Sequence, residues 1–242
     1  MVKNDPFFPY ILTSCIVNGV YCLLAQKIAH PGGENQIDEK TAASHRFKNW
    51  NASLKEAKII PDVISAEVPQ PLKVEYMDDN IEFGTLLEYH RIDQQPFTLD
   101  WEYKNKEFYT IIMSDPDFPD PKKPLQKEYL HWMITNMEDA FIREGNVIAQ
   151  YVPPPNKHLV TVNATCFGLH RIVLVLYKQL KGKIHVSPAL YTPPNDLDID
   201  YVEPFNREKF SSKSFAKEHN LAPLAANYFT MQMDILPEEY DD

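Results

Sequence analysis

Two aspartates and two histidines stand where a folded chain would turn. Asp115 and Asp117 flank a proline in Ser114-Asp-Pro-Asp-Phe-Pro-Asp-Pro121. His131 lies in Glu128-Tyr-Leu-His-Trp132, and His170 in Gly168-Leu-His-Arg171. Proline pushes the residue before it out of the helical region, so both acids fall on an extended or turned segment just after the apolar run 108–113. Loops leaving a strand end commonly carry function. The bland readings are that the acids cap their own turn and that each histidine is a satisfied core residue. A metal site is disfavoured, because the spacing contains neither HxH nor HExxH. A Ser-His-Asp triad would need Ser114 as nucleophile without the turn that usually presents one. An anion pocket asks for less: histidines, loop amides and an aromatic wall suffice, with the acids accepting from an ammonium group or a protonated histidine. No catalytic residue, metal or cofactor is assigned.

The elements that must hold these groups read as strands. Leu72–Tyr76 and Phe97–Trp101 alternate apolar and polar residues. Phe108–Met113, Leu130–Thr135 and Arg171–Tyr177 are nearly continuous apolar runs, as in strands buried on both faces. Alternation along 129–134 puts Tyr129, His131 and Met133 on one face and Leu130, Trp132 and Ile134 on the other. Helices are expected around 42–58 and 211–220, the second capped by Ser211 or Ser212. Twenty prolines against seven glycines favour strands joined by stiff loops. The expected fold is mainly β: two packed antiparallel sheets in a sandwich with a few peripheral helices.

The chain has 242 residues and a net charge of −10, with no basic footprint, so no nucleic acid partner is expected. Residues 1–25 include an apolar stretch, Tyr10–Ala25, that suits a signal peptide or another apolar N-terminal segment, such as an anchor. Two sequons, Asn51-Ala-Ser53 and Asn163-Ala-Thr165, fit a secretory route. Of three cysteines only Cys166 lies beyond residue 25. Residues 26–56 form a polar extension, 57–233 the main domain and 234–242 an acidic tail.

Five segments together resemble the phosphatidylethanolamine-binding protein family, which includes the Raf kinase inhibitor proteins and the plant flowering regulators. They are Ile60–Ile64, Tyr109–Pro119, Lys127–Trp132, Gly168–Arg171 and Tyr177–Gln179. The resemblance implies a small anion-binding cavity at one end of a two-sheet fold, acting by binding rather than catalysis. By position it implies that Asp115 and Asp117 line the cavity, Pro119 shapes the loop, Tyr129 forms an aromatic wall, His131 donates to a ligand phosphate and His170 sits opposite. Three departures stand out. The stretch Tyr151–Phe167 lacks the glycines usual there, Ile172 replaces a common aromatic, and the chain ends soon after Met233.

The expected ligand is a phospholipid head group or another small phosphate-bearing anion, with a membrane surface and a kinase or protease as further candidate partners. The resemblance leaves two alternatives. One is a structural protein of the mitochondrial large ribosomal subunit. The other is a kinase or protease inhibitor acting by protein–protein contact. Localisation is expected to be secreted or in the secretory pathway, with mitochondria as the alternative. Two consequences follow from the histidine assignments: phosphate binding should tighten as pH falls through the histidine range, and His131→Ala or Asp115→Ala should abolish binding without lowering the melting temperature.

Overall fold

The computed structural model describes residues 48–76, 79–138, 142–154, 166–187 and 207–233 in full, and the backbone of 10–17, 20–27 and 234–235. Two units are distinguished, Met1–Ala42 and Ala43–Asp242. In the first, β1 (Tyr10–Val17) pairs antiparallel with β2 (Val20–Lys27), so the apolar N-terminal stretch forms a hairpin. Among the described residues no helix is long and apolar enough to cross a membrane.

The second unit opens with two short helices, α1 (Trp50–Glu56) and α2 (Ile59–Asp62). Strands follow: β3 (Gln70–Pro71), β4 (Lys73–Tyr76), β5 (Asp79–Ile81), β6 (Thr85–Leu86), β7 (Thr98–Asp100), β8 (Phe108–Asp115), β9 (Tyr129–Glu138), β10 (Asn146–Ala149) and β11 (Cys166–Gln179). Helix α3 (Ser212–Glu218) then leads into β12 (Leu221–Ile235). A seven-stranded sheet runs β10-β9-β8-β11-β12-β3, with β6 also on β12, and is antiparallel except where β3 and β6 meet β12. A three-stranded sheet runs β5-β4-β7.

The burial pattern explains the continuous apolar runs. Ile111, Met113, Leu174, Leu176 and Phe229 meet the small sheet's Val74, Tyr76, Ile81 and Leu99 in one cluster. The alternate residues Ile112, Val173, Val175 and Ala226 meet Leu54, Ile59, Val63 and Phe215 from the helices in another. Each strand therefore buries both faces, one under a second sheet and one under helices.

Helix α3 matches the expected segment, and its N-cap Ser211 accepts from the Ser214 amide at 3.2 Å. Of the helix expected around 42–58, α1 covers Trp50–Glu56, and residues 42–47 lie outside the described residues. Strand β12 was not foreseen. Its sequence is rich in Ala, Leu, Met and Gln, which prefer helix, and Pro223 interrupts it. Continuous pairing with β11 overrides that preference, and Pro223 sits beside the register shift at Leu176/Tyr177.

The Asn51 carboxamide donates to the Val68 carbonyl at 2.9 Å and accepts from the Val68 amide at 3.0 Å, so this sequon is already committed to internal bonds. Asn163 lies outside the described residues, as does the acidic tail beyond 235.

Asn227 staples the two sheets. Fully buried, it donates to the Leu72 and Ile81 carbonyls at 2.8 and 2.9 Å and accepts from the Phe83 and Tyr228 amides at 3.0 and 2.8 Å. Asn227→Ala orphans several buried backbone groups. It should lower unfolding free energy in urea by about 3 kcal/mol; a loss below about 1 kcal/mol would show that the backbone finds other partners.

Candidate functional site

The site grows from an irregularity where β8 meets β9. Met113 pairs with Trp132 and Ser114 with Leu130, so His131 is the extra residue of a β-bulge. The bulge shifts the phase of the strand. Tyr129 joins Trp132 and Ile134 in the inter-sheet core, while Leu130 and Met133 face the helices. The alternation read from the sequence, with Tyr129 and Met133 on one face, is therefore corrected.

The bulged histidine is held from behind. Its Nδ1 lies 2.9 Å from the Val152 carbonyl, and its own carbonyl accepts from the Val152 amide at 2.9 Å. Arg207 packs alongside, 3% exposed. Its Nη1 donates to the Leu130 and His131 carbonyls at 3.0 and 3.1 Å, and its Nη2 to the Gln150 carbonyl at 3.0 Å. Among the described residues no carboxylate pairs with this guanidinium, and burial pushes its pKa down.

Both acids of the Asp-Pro-Asp turn are engaged inside the protein. Asp115 Oδ2 meets His170 Nδ1 at 2.7 Å, with both side chains fully buried, while Asp115 Oδ1 accepts the Asp117 amide at 2.7 Å. His170 Nε2 lies 3.1 Å from the Phe167 carbonyl and 3.8 Å from Cys166 Sγ. Both ring nitrogens thus face acceptors, an arrangement that only the imidazolium satisfies. Burial opposes that charge, but the Asp115 bond and the Cys166 contact outweigh it and raise His170 to about 10. Burial also pushes the Asp115 carboxyl up, against the pull of His170.

Asp117 forms a two-pronged pair with Arg171, at 2.7 and 2.9 Å, and also takes the Arg171 amide at 2.9 Å. Arg171 reaches on to the Ala57 carbonyl at 2.6 Å. Ser114 donates to buried Glu128 at 2.7 Å, and Glu128 anchors the start of α3 through the Ser212 amide and hydroxyl, so Ser114 is not presented to a histidine.

What remains open is Tyr129 and His131. The Tyr129 hydroxyl and His131 Nε2 are buried, and among the described residues neither has a hydrogen-bond partner. The rings lie 4.9 Å apart, and Phe118 flanks Tyr129 at 4.8 Å. A carbonyl only accepts, so His131 Nδ1 carries the proton and Nε2 is a bare lone pair. Burial holds His131 down to about 3, against the Val152 bond, and the charges of Arg207 and His170 push the same way. The reading of His131 as a donor is therefore corrected: in this tautomer it accepts. Burial also raises the Tyr129 hydroxyl, which stays a neutral donor.

The six predicted residues occupy one end of the large sheet, divided between a closed frame and an unfilled pair. Asp115, Asp117 and His170 belong to the frame. Pro119, half-buried after a cis peptide bond, accepts the Phe167 amide at 3.2 Å and links the turn to β11. Gly168 has φ +96°, and a Cβ there would press on Pro121 at 3.3 Å. Ile172 is fully buried in the inter-sheet core, and residues 155–165 of the glycine-poor stretch lie outside the described residues. Arg207 was missed because a lone arginine in Asn206-Arg-Glu-Lys-Phe210 reads as solvated. A separate cleft of about 820 Å³ lies elsewhere, lined by Tyr76, Arg91, Phe97, Leu99 and Arg143 among others, and holds none of the six.

A family model described as phosphatidylethanolamine-binding protein matches residues 79–229. The chain belongs to this family. It is 34% identical to Protein TWIN SISTER of FT from Arabidopsis thaliana over 53% of this chain and 61% of that one, so the match spans under two thirds of that relative. It is 29% identical to Protein MOTHER of FT and TFL1 homolog 2 from Oryza sativa subsp. japonica over 73% and 90%. It is also 29% identical to a 26 kDa secreted antigen of Toxocara canis over 72% and 61%. The phosphatidylethanolamine-binding protein from Plasmodium vivax superimposes with TM-score 0.56 at 18% identity, over 76% of this chain and 97% of that one. A carboxypeptidase Y inhibitor, solved with its cognate proteinase, does so with TM-score 0.59 at 22% identity, over 77% and 96%. The two-sheet fold of the family is thus the fold of this chain.

The opposed histidines set a pH window for stability. His131 is depressed, so its contribution is present above the ordinary value near 6.5 and is lost as pH falls toward about 3. His170 is raised, so its contribution is complete below 6.5 and is lost as pH rises toward about 10. Unfolding free energy should peak near neutrality, with His131→Gln flattening the acid limb and His170→Gln the alkaline one. Denaturation curves unchanged in shape would refute these assignments. Asp115→Ala leaves a buried histidine unpaired and should cost about 3–5 kcal/mol, contrary to the neutral effect read from the sequence.

Proposed function

We propose that the protein is a non-catalytic binding protein that holds a small phosphate-bearing anion, such as a phospholipid head group, against Tyr129 and His131. The observation that carries this is a pair of buried polar atoms that, among the described residues, have no partner, beside a buried arginine that pairs with no described carboxylate. Each unmet buried group costs roughly 1–3 kcal/mol, and an anion with its own donor would satisfy both atoms and the charge together. Asp115, Asp117 and His170 act as the frame that holds this surface, and Pro119 ties the loop to it. Ser114 is bonded to Glu128 rather than presented to a histidine, which supports binding rather than catalysis.

Similarity to a secreted antigen, with the apolar stretch within residues 1–25, supports a secretory route. A place in the mitochondrial ribosome fits poorly with a net charge of −10. A kinase or protease partner stays within this proposal as a consumer of the occupied or empty pocket.

The test is an NMR titration of the full chain with phosphorylethanolamine. Shifts should centre on Tyr129, His131, Val152 and Arg207, and no saturable shift there would end the proposal. Tyr129→Phe should weaken binding about tenfold while raising stability by about 1 kcal/mol, because it removes an unsatisfied buried hydroxyl. A variant that loses both affinity and stability would mark the hydroxyl as structural.

A further inference from the structure

We infer that the Tyr129–His131–Arg207 site selects a phosphate monoester in its singly protonated form over a phosphodiester. The inference rests on the anion-pocket reading and sharpens it to one ligand chemistry, a free phosphoryl head group rather than an intact phospholipid, whose phosphate is a diester. Its basis is the direction in which His131 can bond. The Val152 carbonyl takes the Nδ1 proton at 2.9 Å, leaving Nε2 able only to accept. The anion must therefore bring an O–H to that nitrogen. A monoester monoanion has one; a phosphodiester has none on its phosphate.

An ammonium group on a head group is a poor substitute for that O–H. The charged groups acting on His131 are Arg207, from the segment before α3, and His170, from β11, and both are cationic. A cation placed at Nε2 would meet repulsion from both, whereas a neutral O–H on an anion would not. Arg207 uses three of its five N–H donors on the carbonyls of Leu130, His131 and Gln150. Its positive charge is thereby fixed beside the site, where it suits an anion. Tyr129 supplies the complementary direction, an O–H that can donate to an unprotonated phosphate oxygen.

The inference also reverses the origin of any pH dependence. His131 stays neutral and His170 stays charged through the neutral range, so these two histidines add no change of charge at the site there. Affinity should instead follow the ligand's second ionisation, near pH 6 for a phosphate monoester.

Calorimetric titration of the full chain decides the matter. Phosphorylethanolamine, a monoester, and glycerophosphorylethanolamine, a diester, would be titrated at about pH 5 and about pH 8, either side of the ionisation near 6. The monoester should bind at least about tenfold more tightly at the lower pH and about tenfold more tightly than the diester there, the effect of one mismatched hydrogen bond. The diester should show no such pH dependence. His131→Gln, whose amide can donate as well as accept, should erase the preference. Equal affinity for the two ligands, or a preference that survives in His131→Gln, overturns the selectivity while leaving the pocket standing. Binding of neither ligand means that a buried water alone satisfies the two atoms, which overturns the pocket and the selectivity together.

Discussion

One buried contact sets the terms for the rest of this end of the molecule: the 2.7 Å bond between Asp115 and His170. It joins the last residue of β8 to the first half of β11, and both partners are sealed from water. Removing two charges from water is costly, so such a pair is weak evidence for stability in itself. Its consequence is directional. It places a fixed cation near His131, which adds to burial and to the Arg207 charge in keeping the second histidine neutral. Two residues of one type thus hold opposite protonation states: burial keeps His131 neutral despite its Val152 bond, while at His170 the Asp115 carboxylate outweighs burial.

The bulge at His131 is the second constraint. A regular strand would have sent Tyr129 and Met133 to the same side. The extra residue instead turns Tyr129 toward the inter-sheet core and sets His131 beside it, 4.9 Å ring to ring. Bulges of this kind re-aim side chains at the margins of sheets. Here the bulge is braced on one side by β8 and on the other by Val152 and Arg207, so the two unpartnered polar atoms are held on rigid backbone.

Membership of the phosphatidylethanolamine-binding protein family is consistent with this architecture, and one departure from the pattern and one of its motif residues show different physical effects. Ile172 is absorbed by the core with no polar cost. Arg171 locks Asp117 with three bonds and ties it to the helical segment at Ala57, so the second acid of the motif serves as a brace between β11 and the helices. The motif's acids are therefore engaged within the walls, and the proposed binding rests on Tyr129 and His131.

Much of this was legible in the residues. The continuous apolar runs 108–113, 130–135 and 171–177 announced strands buried on both faces, because a strand with two covered faces has no place for alternating polar groups. Ser211 announced its helix, because a short hydroxyl side chain satisfies an amide that the first turn leaves unpaired. The gathering of Asp115, Asp117, Tyr129, His131 and His170 was legible through the family motifs they sit in. Strand β12 was not legible, since its Ala-rich sequence acquires strand character only from pairing with β11. Nor was the division of labour among the site residues. Whether an aspartate is free or paired, and whether a histidine donates or accepts, depends on which atoms lie within about 3 Å of it. Those neighbours, Arg171 and His170 for the acids and Val152 and Arg207 for His131, come from 21 to 76 residues away along the chain. The sequence by itself determined the apolar strands of a two-sheet fold and, through the family its motifs resemble, implied an acid–histidine cluster at one end. The tertiary contacts alone decided its protonation and its open valences, because hydrogen bonding and desolvation are set by neighbours in space.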